Sequence, residues 1–131
     1  MPTTLKDEAA IAGIGQTEFS KNSGRSELQL ACEAISAALD DCGLDPGRVD
    51  GLTTFTMDTN DEVEVAQSVG LGDLKFFSRI PYGGGAAIGV MQQATMAVAT
   101  GIADYVVVYR AFNERSGRRY SIGIAEGIVT A

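Results

Sequence analysis

Short apolar runs alternate with longer segments along the whole chain, and this alternation predicts strands separated by helices. The runs have the length and β-branched content of strands, and they cover residues 9–15, 49–57, 74–80 and 105–109. Helices are predicted between them at residues 26–42 and 60–70 and in the middle of residues 80–103. The resulting order, β-α-β-α-β-α-β, predicts an α/β fold with a mixed, mostly parallel sheet and right-handed crossovers.

The first helix has recognisable ends and one apolar stripe. Ser26 and Gln29 have the spacing of a capping box, in which the hydroxyl and amide bond to free backbone groups. Gly43 is a candidate for a left-handed C-cap, and Pro46 prevents continuation of the helix. The stripe consists of Leu28, Ala31, Ile35, Ala38, Leu39 and Cys42.

The second helix is shorter, and its pattern is weaker. Thr59 or Asn60 is the predicted N-cap, and Gly70 is the predicted end. We expect the inward face of this helix to consist of Val63, Ala66 and Val69.

The strands differ in how deeply they should be buried. The continuous apolar runs at 9–15 and 105–109 are typical of buried central strands of a parallel sheet. The strand at 74–80 alternates loosely and is predicted at a sheet edge. There the charges of Lys75 and Arg79 would discourage pairing with another chain.

Residues 80–103 contain no charged side chain, which makes this the most informative segment of the sequence. Its glutamines, threonines and glycines are too polar and too disruptive for a membrane span, so none is predicted. The pattern instead predicts a helix that is buried on nearly all sides. Because one face of a helix on an ordinary sheet contacts water, we expect a second half, a second copy or another subunit to cover this helix.

Composition excludes several classes of function. With 131 residues and 13.7 kDa, the chain is one domain or part of one. The net charge of −7 argues against nucleic acid or an anionic membrane surface as a partner. The chain has no histidine, so it cannot by itself supply an imidazole base or a His-ligated metal, and no metal site is predicted.

The two cysteines indicate a reducing compartment. Cys32 and Cys42 are ten residues apart in one predicted helix, about 15 Å along its axis, which is beyond the reach of a disulfide. The first ten residues carry charges where a signal peptide needs an apolar core. We therefore expect a cytoplasmic protein with reduced thiols.

Four stretches of the chain together resemble the thiolase superfamily. They read IAGIGQTEFSKNSGRSELQLACEAISAALDDCGL, VDGLTTFTMDTN, LKFFSRIPYGGGAA and TGIADYVVVYRAFNERSG. More narrowly, the chain is similar to the lipid-transfer-protein (sterol-carrier-protein-x-like) branch, and most similar to actinobacterial enzymes that cleave steroid side-chain acyl-CoA thioesters by retro-aldol chemistry.

The resemblance implies the N-terminal half of a thiolase-like fold, in which two similar halves form five layers around a central helix from each half. Residues 1–120 would form this half, and the uncharged segment would contain its buried central helix. Residues 121–131 show no family pattern, and the C-terminal half is absent from the sequence. This chain alone is therefore expected to be inactive.

The resemblance also implies the position of the site. In thiolases the nucleophilic cysteine stands at the start of the central helix, and that position here is Gly84, so the nucleophile is lost. The neighbours Gly83, Gly85 and Ala86 are predicted to bind substrate through free amide groups of the helix start, which would stabilise an enolate oxygen. The alternative is a tight turn that needs glycine for its backbone conformation.

Other candidates lie near this point or after the last strand. Tyr82 is a weak candidate for acid–base work, although we expect the general base to come from tyrosines of the missing half. Asn113 and Glu114 are predicted at the rim of the site, where polar residues often line a crevice. The basic residues of this region suit coenzyme A phosphates or an acidic partner, or form a solvated face: Arg110, Arg115, Arg118 and Arg119.

The resemblance thus implies part of a lyase that cleaves a β-hydroxy acyl-CoA, with coenzyme A as part of the substrate and no cofactor bound in this chain. A homodimer or hetero-oligomer is expected, and an OB-fold zinc-ribbon subunit is among the partners it allows. Two alternatives stay open: a non-catalytic subunit that binds lipid or acyl-CoA or serves assembly, and a thiolase-type acyltransferase.

Overall fold

The computed structural model describes residues 4–56, 58–81 and 83–117 as three layers, with a parallel sheet between helices. The helices are α1 (Glu27–Cys42), α2 (Glu62–Val69) and α3 (Ala86–Ala99), and a short 3₁₀ helix spans Pro46–Arg48. The strands are β1 (Gly51–Phe55), β2 (Phe76–Ile80) and β3 (Val106–Tyr109). The prediction of an α/β fold with parallel strands is confirmed.

The sheet has the order β2-β1-β3, and both pairs are parallel. Gly51 is in register with Phe76 of β2 and Val106 of β3. The strand β2 lies at an edge, as predicted. The prediction that residues 105–109 form a central strand was wrong for the described sheet, because β1 is its centre and β3 forms the other edge.

The first apolar run was predicted as a buried central strand, and this was wrong. Residues 9–15 form no strand in the part of the chain that the structure describes, and the side chains of Ile11 and Ile14 are 71% and 75% exposed. Gly13 and Gly15 instead lie against the backbone of α1, where a Cβ would come within 2.4 Å of a main-chain oxygen. The glycines therefore allow this segment to pack on a helix.

The ends of α1 are as predicted. The Ser26 hydroxyl accepts a hydrogen bond from the Gln29 amide at 3.1 Å, and Gly43 has a left-handed φ of 65°. The Gln29 side chain donates to Glu33 instead of completing the capping box. The buried face consists of Leu30, Ala31, Ile35 and Leu39. Leu30 was absent from the predicted stripe, and three members of that stripe are only partly buried: Leu28, Ala38 and Cys42.

The start of α2 differs from the prediction. Its N-cap is Asp61, whose carboxylate accepts from the amides of Val63 and Glu64, and neither Thr59 nor Asn60 has this role. Val65 is fully buried in the core beside α1, whereas Val63 is 53% exposed. The later cap and the tertiary packing of Val65 explain why the predicted inward face was wrong at residue 63.

The helix α3 covers the opposite face of the sheet. Its buried residues are small or medium-sized: Ala86, Val90, Ala94 and Ala97. A polar chain joins this helix to the sheet, since the Thr53 and Ser78 hydroxyls lie 2.7 Å apart and Ser78 also bonds to Gln93. The other flank of α3 is uncharged yet exposed, with Ile88 74% exposed. Burial on nearly all sides is therefore not reached within the described residues.

Candidate functional site

An open cavity of about 310 Å³ lies where the strands end and α3 begins. Its lining comes from the ends of β1 and β3 and from the loop before α3: Phe55, Thr56, Gly83, Gly84, Arg110 and Glu114. Ligands of parallel α/β sheets bind outside the carboxyl ends of the strands, and this cavity has that position. Three of these residues were predicted as site residues: Gly83, Gly84 and Glu114.

The three glycines before α3 have different reasons to be glycine. Gly83 has a φ of 91°, a conformation that side chains rarely adopt. At Gly84 and Gly85 the φ is not left-handed, and a Cβ would meet no atom of the described residues within 4 Å. Their lack of a side chain is therefore not required by the packing of this part of the chain, and it leaves free space at the cavity.

The amide groups of this helix start are not all free. The Ala86 amide donates to the Gly83 carbonyl at 3.1 Å, and the Ala86 side chain is buried. Ala86 therefore does not offer the free donor that was expected of it. The amides of Gly84 and Gly85 donate to no other described residue. Tyr82, the weak acid–base candidate, lies outside the described residues.

Thr56 joins β1 to the glycine loop and was missed by the sequence analysis. Its φ is 41°, which is unusual for a β-branched residue. Its amide donates to the Ile80 carbonyl at 2.8 Å, and its hydroxyl donates to the Gly83 carbonyl at 3.2 Å. These two bonds fix the end of β2 and the glycine loop at the cavity wall.

Arg110, at the end of β3, was expected only as one member of a basic cluster, yet it lines the cavity. Its Nε donates to the Thr56 carbonyl at 3.0 Å. Its guanidinium carbon lies 5.8 Å from the ring centre of Phe55 and 5.1 Å from that of Phe112. Two stacking partners and one hydrogen bond thus restrict the orientation of this side chain. Arg110 directly follows a predicted strand, and this position could have indicated from the sequence that it lines the cavity.

Asp58 is a fully buried carboxylate beneath this wall. It accepts hydrogen bonds from the Ala111 amide at 3.1 Å and from the Tyr109 hydroxyl at 3.4 Å. Two further bonds come from Asn60, and an ion pair at 3.8 Å comes from Arg79. Burial and the Asp58 carboxylate raise the pKa of the Tyr109 phenol, so this phenol stays protonated and acts as a donor.

Of the two residues predicted at the rim of the site, the structure places only one at the cavity. Glu114 lines the cavity, whereas Asn113 bonds to Ser23 at 2.8 Å and to the Arg25 carbonyl at 2.7 Å. Asn113 therefore joins the loop before α1 to the end of β3. Arg115 is exposed and is not among the lining residues. Arg118 and Arg119 lie outside the described residues, as does the segment 121–131.

Within residues 4–56, 58–81 and 83–117, no group of three or more acidic or cysteine side chains could hold a metal ion. No helix in this part of the chain has the length and apolar character needed to cross a membrane. Cys32 and Cys42 are free thiols on α1, both partly buried, and burial raises the pKa of the Cys32 thiol.

Fold and site together define a layered α/β protein with an open cavity between a helix start, an arginine and an acidic residue. No protein-family model matches the chain. Relatives that are similar over nearly all of it do exist. A steroid side-chain-cleaving aldolase of Thermomonospora curvata is 69% identical over 123 residues, which is 94% of this chain and 32% of the aldolase. A 17-hydroxy-3-oxo-4-pregnene-20-carboxyl-CoA lyase of Mycobacterium tuberculosis is 67% identical over 88% of this chain and 30% of the lyase.

Solved structures agree with these relatives. An Ltp2-ChsH2(DUF35) aldolase matches with a TM-score of 0.82 and 66% identity, over 92% of this chain and 32% of that chain. A monomeric SCP2-thiolase-like protein from Mycobacterium smegmatis matches with a TM-score of 0.62 and 30% identity, over 75% of this chain and 22% of that chain. A priming β-ketosynthase of the R1128 polyketide pathway, at 19% identity and a TM-score of 0.58, shares the fold.

The resemblance predicted from the sequence, to steroid side-chain aldolases and to part of a thiolase-like fold, is confirmed by these matches. The chain spans about a third of the length of the curated relatives that it matches.

Proposed function

We propose that this chain is the N-terminal part of a thiolase-fold lyase that cleaves a β-hydroxy acyl-CoA, with a steroid or similar side chain, by retro-aldol chemistry. The observation that carries the proposal is the cavity at Gly84. It combines a helix start, free space and a fixed arginine, but it has no nucleophilic side chain at the position that the thiolase resemblance assigns to cysteine. The names of the two aldolase and lyase relatives support the same reaction.

In this reaction a base removes the proton of the β-hydroxyl group. The oxygen electrons form a ketone, the bond between the α and β carbons breaks, and its electron pair becomes an enolate on the thioester side. The enolate then takes up a proton to give a shortened acyl-CoA. No acyl group is transferred to the protein, so the missing nucleophile is compatible with the chemistry.

The contribution of this chain would be to stabilise the enolate oxygen. The Gly84 and Gly85 amides lie at the positive end of α3, where hydrogen-bond donors favour developing negative charge. We propose that coenzyme A enters as part of the substrate and that the base comes from tyrosines beyond this chain. Tyr82 stays a weaker candidate.

The uncharged flank of α3 supports a role in an assembly. Ile88 and Met96 on this flank are exposed hydrophobic side chains within the described residues. We propose that a C-terminal half of the fold covers this flank, in a homodimer or hetero-oligomer. We further propose that the partner in a hetero-oligomer is an OB-fold zinc-ribbon subunit. The free thiols of α1 suit a cytoplasmic location.

The experiment that tests the function is incubation of this chain, assembled with the proposed C-terminal half and partner subunit, with a β-hydroxy acyl-CoA whose acyl group is a steroid side chain. Mass spectrometry should detect a ketone and a shortened acyl-CoA in equal amounts, and the intact protein should gain no acyl mass. An acyl adduct on the protein would instead support the thiolase-type acyltransferase.

A non-catalytic subunit that binds acyl-CoA or serves assembly is the second candidate, and the exposed flank of α3 favours it. It predicts binding of acyl-CoA without turnover, even after every partner subunit has been added. A ketone product under those conditions would contradict this candidate.

A further inference from the structure

Arg110 is held by contacts that leave one edge of its guanidinium group free. The Nε–H group donates to the Thr56 carbonyl, and the planar face lies near the rings of Phe55 and Phe112. The two terminal nitrogens form no hydrogen bond or ion pair with another described residue. Arg25 and Arg79 differ, because their terminal nitrogens contact Glu18 and Glu33 or backbone carbonyls.

The backbone on both sides of Arg110 is also fixed. The residues before and after it, Tyr109 and Ala111, both donate to the buried carboxylate of Asp58. The carbonyl that accepts from Arg110 belongs to Thr56, whose amide and hydroxyl are themselves bonded to Ile80 and Gly83. The backbone that carries Arg110 and the carbonyl that accepts from its Nε–H group are therefore held in place before a ligand binds, while the side chain itself is exposed, and such preorganisation increases affinity.

Arg110 lines the cavity whose wall also contains Gly84 and Glu114. Glu114 forms no ion pair with Arg110, although both line the same space of about 310 Å³. A fixed guanidinium edge with two terminal nitrogens matches an anionic or strongly polarised oxygen in its geometry and charge.

We infer that Arg110 binds an anionic oxygen of the acyl-CoA ligand through its terminal nitrogens and is thus a ligand-binding residue of this site. The inference rests on the proposed function. The oxygen belongs either to the thioester as the enolate forms or to a phosphate of coenzyme A, since a guanidinium group recognises both.

The test is isothermal titration calorimetry of the protein assembled with the proposed C-terminal half, unchanged and as Arg110→Gln, with three probes: acyl-CoA, the matching acyl-pantetheine and inorganic pyrophosphate. Loss of a charged hydrogen bond should weaken acyl-CoA binding by about 10- to 100-fold. Weaker binding of acyl-pantetheine in parallel assigns the oxygen to the thioester, whereas weaker binding of pyrophosphate assigns it to a phosphate. Arg110→Lys keeps the positive charge but lacks the paired terminal N–H groups of a guanidinium, so an intermediate loss of affinity is expected.

Arg48→Gln is the matched control, because Arg48 also lies over an aromatic ring and bonds to Tyr105 at 3.0 Å, but at the opposite end of the sheet. It should bind every probe as the unchanged protein does. Equal binding by Arg110→Gln and Arg48→Gln overturns the inference and leaves the proposed function intact. Failure of the unchanged protein to bind any of the three probes overturns both.

Discussion

Gly84 combines an ordinary backbone conformation with free space where its side chain would be. Its φ is not left-handed, and a Cβ would meet nothing within 4 Å among the described residues. The neighbouring Gly83, by contrast, needs its glycine for a φ of 91°. A substitution at residue 84 therefore separates an effect on the ligand from an effect on the fold.

Gly84→Ala should lower the catalytic efficiency of the complete assembly by about tenfold or more, because the methyl group would occupy cavity space next to the amides that we propose bind the thioester. Its melting temperature should not fall, since the site is open and the backbone is unstrained. The measurement is steady-state cleavage of a β-hydroxy acyl-CoA together with thermal unfolding.

Gly47→Ala is the control for this substitution. Gly47 lies in the 3₁₀ helix before β1, away from the cavity, and its Cβ would make only an ordinary contact of 3.5 Å. Both activity and melting temperature should stay unchanged in this variant. Full activity of Gly84→Ala would contradict the placement of the thioester at this residue.

At the scale of the elements, Asp50 joins the starts of all three strands. Its carboxylate accepts from the amides of Asp104 and Tyr105, at 2.9 and 3.0 Å, and pairs with Lys75 at 3.4 Å. Burial opposes its ionisation, but the amide donors and Lys75 outweigh this effect and lower its pKa.

Asp50→Asn should destabilise the protein by about 1–2 kcal/mol at pH 7, because charged hydrogen bonds become neutral ones. A carboxylate with a lowered pKa stabilises the fold above the pKa of the unfolded chain, near 4, and this contribution disappears as the pH falls through the folded pKa. The difference between the two proteins should therefore shrink below about pH 4. Urea unfolding at pH 7 and pH 3 measures it.

Asp73→Asn serves as the comparison, since Asp73 is exposed and lies two residues from Lys75. Its unfolding free energy should match that of the unchanged protein at both pH values. A loss in Asp50→Asn that stays constant from pH 7 to pH 3 would contradict an electrostatic origin.

The helix ends that depend on local sequence signals were predictable from the sequence. The hydroxyl of Ser26 caps the start of α1, and the left-handed backbone of Gly43 and Gly70 ends α1 and α2. All three residues cap their helices as predicted. The segment 9–15 was not predictable, because its apolar pattern is the same for a central strand and for a chain that lies on α1. Only the contacts of Gly13 and Gly15 distinguish the two.

The site was partly predictable for a similar reason. Gly83 and Gly84 could be placed by the resemblance, and the structure has them in the cavity wall. The roles of Thr56 and Asp58 depend on bonds to residues about 25 or 50 positions away, such as Gly83 and Ala111. No local pattern in the sequence encodes such pairings.

The molecule as a whole presents apolar surface that its described residues do not cover. Ile88 on α3 and Ile11, Ile14 and Phe19 before α1 are largely exposed. Large apolar side chains exposed in this way are typical of interaction surfaces, and the α3 flank and the segment before α1 lie on different sides of the sheet. We expect the flank of α3 to be buried in the complete assembly, whether by the same polypeptide or by another.

Ile88→Asp should therefore lower the unfolding free energy of the complete assembly by about 2 kcal/mol or more, because a covered site would bury an unpaired charge. Hydrogen exchange along α3 should accelerate in the same variant. Denaturant unfolding and exchange mass spectrometry measure the two effects.

Val63→Asp is the matched substitution, since Val63 occupies the first turn of α2 and is similarly exposed. It should cost less than about 0.5 kcal/mol. If Ile88→Asp is equally harmless, the α3 flank contacts water in the assembly, and a covering half of the fold is excluded.

The free space in front of Gly84 also bears on which alcohols the proposed reaction accepts. When the hydroxyl-bearing carbon is part of a ring and carries three carbon neighbours, it is bulky and lies only two bonds from the thioester carbonyl. A cysteine side chain at residue 84 would take up volume that such a fully substituted carbon needs. Under the proposed reaction, a glycine at this position would therefore admit crowded tertiary alcohols that a cysteine would exclude.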